Sequence, residues 1–204
     1  GYAPMPHPVT YTCESAFYLK STSMPLTVNV LNTDYVPAAN VAYQTRRYVE
    51  GDIQKLDVEI PAYSLAGTSM GDMEVGGYTV CGLVYDETLG GYFKDYSKDG
   101  LTVHLKTYPE KGKALDGDYS LAAEGTTLFV QYKGNDVVYV ENNFTPGSMP
   151  FPILATSGEK QTTEVKTVDA KDAGSEAKPY KRIESGRLVI VKDGKKYNSA
   201  GQQL

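Results

Sequence analysis

Short segments in which every second residue is apolar constrain the fold of this chain most strongly. Leu26, Val28 and Val30 fall on one face of such a segment, and residues 101–107 and 126–133 repeat the pattern. This alternation is typical of β-strands with one buried face and one wetter face. No segment carries a sustained apolar period of about 3.6 residues with caps, so we expect little helix.

Turn-forming residues separate these segments at short intervals. Lys133-Gly134-Asn135-Asp136 is typical of a tight hairpin, and Asp116-Gly117-Asp118 is also predicted to be a turn. Many short antiparallel strands without helices predict a barrel or a sandwich. The predicted strands are 9–20, 26–32, 41–49, 53–60, 74–85, 101–107, 126–133 and 136–142.

Changes in composition divide the chain into four parts. Residues 1–8 hold three prolines and are predicted to be an extended lead-in, and residues 9–157 are predicted to form the β-barrel. Residues 158–179 are rich in charged residues and Thr, which indicates a polar linker or a weak edge strand. Residues 180–204 are predicted to be a C-terminal hairpin, with a strand at 187–191 followed by a Lys-Asp-Gly-Lys turn.

The charge distribution argues against a nucleic-acid partner. Residues 159–204 hold ten Lys/Arg and seven Asp/Glu, a net +3; since the whole chain carries −5, residues 1–158 carry −8. Nucleic-acid binding needs a basic footprint that displaces counterions, and the acidic body lacks one. No apolar run approaches the ~18 residues of a membrane-spanning helix, so we expect no transmembrane span.

The two cysteines, Cys13 and Cys81, lie far apart in the sequence. A disulfide between them would fit an oxidising compartment, and buried free thiols are the alternative. The chain has no CxxC motif and no Cys/His cluster, so neither thioredoxin-like chemistry nor a zinc site is predicted. We expect no metal and no cofactor.

The candidate catalytic groups fit solvated positions better than an active site. His104 shares a strand face with Thr102 and Lys106, which indicates exposure rather than a general base. The Gly67–Gly71 stretch lacks the strand-to-helix setting of a nucleophile elbow. The pairs Asp116/Asp118 and Asp95/Asp99 are predicted to be solvated turn acids. We therefore predict no catalytic residues and expect that the protein is not an enzyme.

Residues 56–80 (LDVEIPAYSLAGTSMGDMEVGGYTV) contain an apolar strand, a loop and a Gly-Asp step, Met70-Gly71-Asp72-Met73, into the next strand. This order resembles the calycin-like (lipocalin-like) β-barrel domain of secreted Bacteroidetes proteins, over roughly residues 9–157. The resemblance implies an eight-stranded antiparallel up-and-down barrel with an open mouth.

Residues 181–204 are similar to a C-terminal tail found in many secreted proteins of the same bacteria. The residues that carry this likeness are Gly186, Leu188, Ile190, Asp193, Gly194, Tyr197, Gly201 and Gln202. In those proteins the tail is associated with export or surface display. The resemblance therefore implies a protein that is secreted or held at the outer-membrane surface. Because the sequence shows no signal peptide, we expect the chain to be the mature part of such a protein.

Two functions fit this fold. The first is a non-catalytic binding module that holds a small apolar or amphipathic ligand at the barrel mouth. The second is a structural or adhesive module with a filled barrel, whose contacts are with a cell-surface or host partner. Residues 146–152 are predicted to be either a lip over the ligand or a plug in one barrel end. The predicted ligand-binding residues are Tyr43, Tyr78, Tyr85, Tyr132, Tyr139, Phe144 and Phe151.

Overall fold

A computed structural model describes Cys13 and residues 19–162, 180–184, 186–192 and 194–204. The predicted lead-in, most of the predicted strand 9–20, most of the linker and Asp193 of the predicted turn lie outside these residues. The chain divides into two compact units, residues 1–86 with 91–160 and residues 87–90 with 161–204. Within the described residues every regular element is a strand, which confirms the all-β prediction.

Seventeen strands are numbered here in chain order. They are β1 Lys20–Met24, β2 Thr27–Val30, β3 Thr33–Tyr35, β4 Val41–Glu50, β5 Ile53–Ile60, β6 Tyr63–Thr68, β7 Gly71–Val75, β8 Tyr78–Asp86, β9 Gly91–Asp95, β10 Thr102–Tyr108, β11 Asp116–Ser120, β12 Thr127–Lys133, β13 Asp136–Phe144, β14 Ile153–Gly158, β15 Tyr180–Glu184, β16 Arg187–Lys192 and β17 Lys195–Tyr197. The part of the chain that the structure describes holds no helix long and apolar enough to span a bilayer.

Ten strands of the first unit form one antiparallel, strongly curled, barrel-like sheet. Its order is β1-β4-β5-β8-β9-β12-β13-β14-β2-β3. Only Pro25 and Leu26 separate β1 from β2, yet β1 pairs with β4 while β2 pairs with β14. Strands β4 and β14 lie far apart in the strand order. Because β1 and β2 are almost adjacent in the chain, the sheet must bend strongly to bring β4 and β14 close together.

Four strands of the same unit form a second antiparallel sheet in the order β11-β10-β7-β6. The prediction of one strand over 74–85 is wrong, since Gly76 and Gly77 separate β7 in this sheet from β8 in the barrel-like sheet. A Cβ atom on Gly77 would lie 2.7 Å from the carbonyl oxygen of Ile60. This close backbone approach explains why glycine occupies the crossing.

The β12–β13 hairpin confirms the predicted tight turn, since Lys133 pairs with Asp136. The predicted turn at Asp116-Gly117-Asp118 is wrong: these residues begin strand β11, which pairs with β10. Gly117 lies within β11, which is an edge strand of its sheet.

The interior of the barrel-like sheet is filled by large side chains. Tyr96, Phe144 and Leu56 are among the largest that are fully buried. The Tyr96 hydroxyl donates to the Oδ1 atom of Asn142 at 2.6 Å, Asn142 Nδ2 donates to the Tyr78 hydroxyl at 2.7 Å, and the two hydroxyls lie 2.8 Å apart. This closed triangle satisfies the polar groups that would otherwise be costly to bury.

Cys13 and Cys81 form a disulfide with a Cα–Cα distance of 5.9 Å. Beside it lies the buried carboxylate of Asp57, which accepts a hydrogen bond from the Gly82 amide at 2.8 Å and lies 3.5 Å from the Arg46 Nε atom. The disulfide ties a residue that precedes the first described strand to β8.

The second unit contains a three-stranded antiparallel sheet in the order β15-β16-β17. Lys192 of β16 pairs with Lys195 of β17, and Val189 and Val191 are buried.

Candidate functional site

An apolar pocket of about 140 Å³ lies where β2, β3 and β14 of the barrel-like sheet face β6, β7 and β10 of the second sheet. The side chains that form its wall alternate along each strand with side chains that face away from it. Val28 of β2, Leu65 of β6 and Leu105 of β10 are buried and face the pocket, while their sequence neighbours face outward. None of the described residues that line the pocket is charged, so the pocket selects an apolar group.

Three half-buried side chains form the rim of this apolar pocket. Met70 follows β6, and Met149 and Phe151 lie on the crossing between β13 and β14. Methionine side chains adapt to irregular shapes because they are unbranched and polarizable. The rim can therefore adjust to the outline of an apolar group.

The hairpin between β2 and β3 supplies an unusual rim residue. Leu31 has a φ of 50° and Asn32 a φ of 61°, and Leu31 is 62% exposed although it lines the apolar pocket. A two-residue hairpin turn requires positive φ at both positions, which suits Asn or Gly far better than a large apolar residue. An exposed leucine held in this conformation is more typical of a contact surface than of a solvated turn.

Tyr63 of β6 connects the pocket to the barrel interior. Its ring lines the apolar pocket and also a cavity of about 10 Å³ beside Tyr43. The Tyr63 hydroxyl is buried and has no hydrogen-bond partner among the described residues, and burial raises its pKa well above the usual value. The tyrosine therefore remains neutral across the physiological pH range.

A second concavity, the edge groove, adjoins the apolar pocket. It has a volume of about 780 Å³, and it shares Tyr63, Leu65 and Met73 with the pocket. One wall is strand β6, and the opposite wall is the segment 36–41, which contains Pro37 and two alanines. The groove is therefore wide, shallow-walled and continuous with the apolar pocket.

The structure does not bring the seven predicted ligand-binding residues together. Phe151 lines the apolar pocket. Tyr43, Tyr78 and Phe144 are buried in the core, where the Tyr43 hydroxyl bonds to Ser157 at 2.8 Å and burial raises the Tyr43 pKa to about 12.

The other three predicted residues lie elsewhere on the barrel-like sheet. Tyr85 and Tyr132 both make edge-on ring contacts with Tyr92, and the Arg47 guanidinium lies 4.1 Å from the centre of the Tyr132 ring. Tyr139 packs against Phe129. These tyrosines form structural aromatic contacts rather than a shared cup.

A histidine and two carboxylates form a separate cluster on the second sheet. His104 lies 2.8 Å from Asp118 through Nδ1 and 2.9 Å from Asp116 through Nε2. The hydrogen bond to Asp118, followed by that to Asp116, raises the pKa of His104. His104 is exposed, as the apolar/polar alternation of residues 101–107 predicts. The sequence does not predict its two partners, because an Asp-Gly-Asp stretch is typical of a turn whereas Asp116 and Asp118 lie in strand β11.

Ligand atoms of Cys13, Asp57 and Cys81 lie within 4.8 Å of one another. Since the two sulfur atoms are bonded to each other, the carboxylate is the one metal-ligand group that this trio offers in the oxidised protein.

The fold and the site define an all-β protein with a barrel-like sheet and an uncharged apolar pocket beside a second, smaller sheet. No protein-family model, curated protein or solved structure matches the chain.

Proposed function

We propose that this chain is a non-catalytic binding module that holds a small apolar or amphipathic ligand at the end of its barrel-like sheet. The observation that carries the proposal is the apolar pocket of about 140 Å³ with an uncharged lining and an exposed leucine on its rim. Pockets in the mouths of β-barrels commonly hold such ligands.

The volume sets the size of the group that enters. Cavities of about 150 Å³ lined by aliphatic and aromatic side chains accept benzene, whereas sites for drug-sized molecules span about 300–1,000 Å³. The apolar pocket therefore accommodates one ring or a chain of about six carbons. The polar part of an amphipathic ligand would remain outside, beside the hydroxyls of Thr68 and Ser69.

The sequence likeness supports a finer assignment. We propose a lipocalin-like or calycin-like barrel in a secreted or surface-exposed protein, with residues 180–204 as a hairpin tail for export or display. Deleting residues 180–204 is expected to leave the barrel-like sheet folded and to impair export or anchoring in the native host. Loss of the fold on deletion would show instead that the tail belongs to the core.

Toluene is a suitable probe because one aromatic ring fills the pocket volume. With ¹³C-methyl-labelled methionine, titration is expected to shift the methyl signals of Met70, Met73 and Met149, which line the pocket. The buried Met24 lies outside the lining, and its signal serves as the internal reference. Equal shifts for all four signals, or none, would contradict the proposal.

Matched variants sharpen this test. Val30→Phe places a ring inside the apolar pocket and is expected to weaken toluene binding at least about tenfold, since the added volume occupies the site. Val84→Phe makes the same change at an exposed position of β8 and is expected to bind toluene normally. An unchanged chemical shift of the Met24 methyl signal would show that both variants are folded.

The filled interior favours a second candidate, a structural or adhesive module with no small-molecule ligand. The internal cavity beside Tyr43 measures only about 10 Å³, room for about one water molecule. If toluene leaves the Met70 and Met149 signals unchanged, this second function becomes the better account of the fold.

A further inference from the structure

Strand β6 presents an open edge to the edge groove. It is the last strand of its sheet, and among the described strands it pairs only with β7. An edge strand exposes a row of backbone donors and acceptors that can template an added strand. The segment 36–41 forms the opposite wall of the groove, so that an added strand would lie between two walls rather than on a flat surface.

The side chains on this edge are small enough for a backbone to approach. The outward residues of β6 are Ser64 and Ala66, both exposed, and the inward residues are Tyr63 and Leu65, both buried. A strand added to β6 would therefore alternate between two environments. Its inward side chains would meet the apolar surface that the groove shares with the apolar pocket, and its outward side chains would meet the polar face of the sheet.

The polar face of the groove is acidic. Asp72 and Glu74 of β7 are exposed and line the groove, and the described lining contains no Lys, Arg or His. Lys106 lies opposite Glu74 in the β7–β10 ladder, and its ammonium lies 5.4 Å from the centre of the ring of Tyr108, which lines the groove, so Lys106 flanks the acidic lining without being part of it. Asp72 accepts a hydrogen bond from the Gly67 amide at 2.9 Å.

From these observations we propose that the edge groove binds an extended peptide segment of a partner protein, in which apolar and cationic residues alternate, and that this segment adds as a strand to β6. One apolar side chain enters the apolar pocket, so the inference rests on the proposed binding function. Backbone hydrogen bonds to β6 supply affinity, and the alternation of side chains supplies specificity.

A synthetic hexapeptide with the order Lys-Leu-Lys-Val-Lys-Thr, capped at both ends, is the direct probe. Binding is expected to perturb the amide signals of Ser64 and Ala66 in ¹⁵N spectra. N-methylation of alternate residues removes strand hydrogen bonds and is expected to weaken binding about tenfold. Replacing Lys by Glu, or placing the apolar residues side by side, is expected to weaken it by about the same factor.

Variants of the protein separate charge from shape. The double variant Asp72→Asn with Glu74→Gln is expected to bind the Lys-containing peptide about tenfold more weakly than the parent does. It is also expected to bind the Lys-containing and Glu-containing peptides with equal affinity. Glu124→Gln makes the same chemical change at an exposed loop position outside the groove and is expected to bind as the parent does. Toluene binding serves as the folding control for all three proteins.

The outcomes are distinguishable. Toluene binding without peptide binding overturns the peptide inference and leaves the proposed function standing, whereas failure of both probes overturns the proposed function. Equal affinity for the alternating and contiguous peptides also overturns the inference. So does a dimer in sedimentation whose interface protects Ser64 and Ala66, because a second copy would then be the occupant of the edge.

Discussion

The hydroxyl of Tyr96 offers the sharpest test of how the core is held together. Tyr96→Phe removes one oxygen and leaves the ring, but it takes away the donor that lies 2.6 Å from the Asn142 Oδ1 atom. Tyr96 is fully buried and Asn142 is only 3% exposed, so water does not replace the lost partner. Tyr78 keeps its hydrogen bond from Asn142 Nδ2.

The magnitude follows from the number of groups left without a partner. Two buried groups lose a partner, the Asn142 Oδ1 acceptor and the Tyr78 hydroxyl, whose oxygen lies 2.8 Å from that of Tyr96. Each costs about 1–3 kcal/mol, and taking the lower end for each we expect a loss of about 2 kcal/mol in the free energy of unfolding. For a protein of this size the loss corresponds to a fall of about 4–8 °C in Tm. Removing the whole triangle with Tyr78→Phe, Tyr96→Phe and Asn142→Leu together leaves no orphaned polar group, so its cost should be less than the sum of the single variants.

Urea unfolding followed by far-UV circular dichroism measures these differences, provided the slope m is unchanged. Tyr85→Phe is the matched control, since Tyr85 is partly exposed, and its stability should stay within about 0.5 kcal/mol of the parent. The reasoning is refuted if Tyr96→Phe costs no more than Tyr85→Phe. It is refuted equally if the triple variant loses the full sum of the three single losses.

Three further perturbations test other parts of the fold. Gly77→Ala is expected to destabilise the protein by about 1–3 kcal/mol in urea unfolding because its Cβ would meet a backbone oxygen, while Gly117→Ala, with no atom within 4 Å of its Cβ, should stay within about 0.5 kcal/mol. Reduction of Cys13–Cys81, which are 68 residues apart, should lower stability by up to about 4 kcal/mol on the loop-entropy argument, and the Cys→Ala double variant should not respond to reductant. The pKa of His104 is raised, so its contribution to stability is complete below its unfolded pKa of about 6.5 and is lost as pH rises through the higher folded value; an NMR titration that finds the His104 pKa at or below about 6.5 would contradict this.

Alternation predicted the strands that bury one face over seven residues or more. It also predicted β2, which has four residues, but it did not separate β6 from the glycine-rich loop that follows, although Tyr63 and Leu65 are buried while Ser64 and Ala66 are exposed. The Gly76-Gly77 pair was similarly overlooked as a break, because a glycine within a strand pattern signals close backbone approach only when the neighbouring backbone is known.

The candidate site was less predictable than the fold, for a physical reason. Whether a tyrosine faces the core, another aromatic ring or solvent depends on strand register, which sequence alone does not determine. The sequence predicts Phe151 because it lies within the proline-rich crossing 146–152, whereas it does not predict Leu31 and Met70 as lining residues. Leu31 gives no local signal, since only the paired strands around it force the left-handed backbone that holds its side chain at the rim.

The packed interior leaves the space between the two sheets as the place where the proposed ligand would bind. The barrel-like sheet has ten strands rather than the eight that the resemblance implies, and the buried side chains of Tyr78, Tyr96 and Phe144 pack in its core. A ligand entering the interior would have to displace hydrogen-bonded side chains and leave buried groups unpaired, at about 1–3 kcal/mol for each group. The apolar pocket requires no such displacement, because its space of about 140 Å³ is already open between residues of the two sheets, including those of β2 and β6. Strand β6, which alternation did not predict, lines this pocket together with β2 of the barrel-like sheet, so under the proposed binding function the ligand would lie between the two sheets rather than in the packed interior.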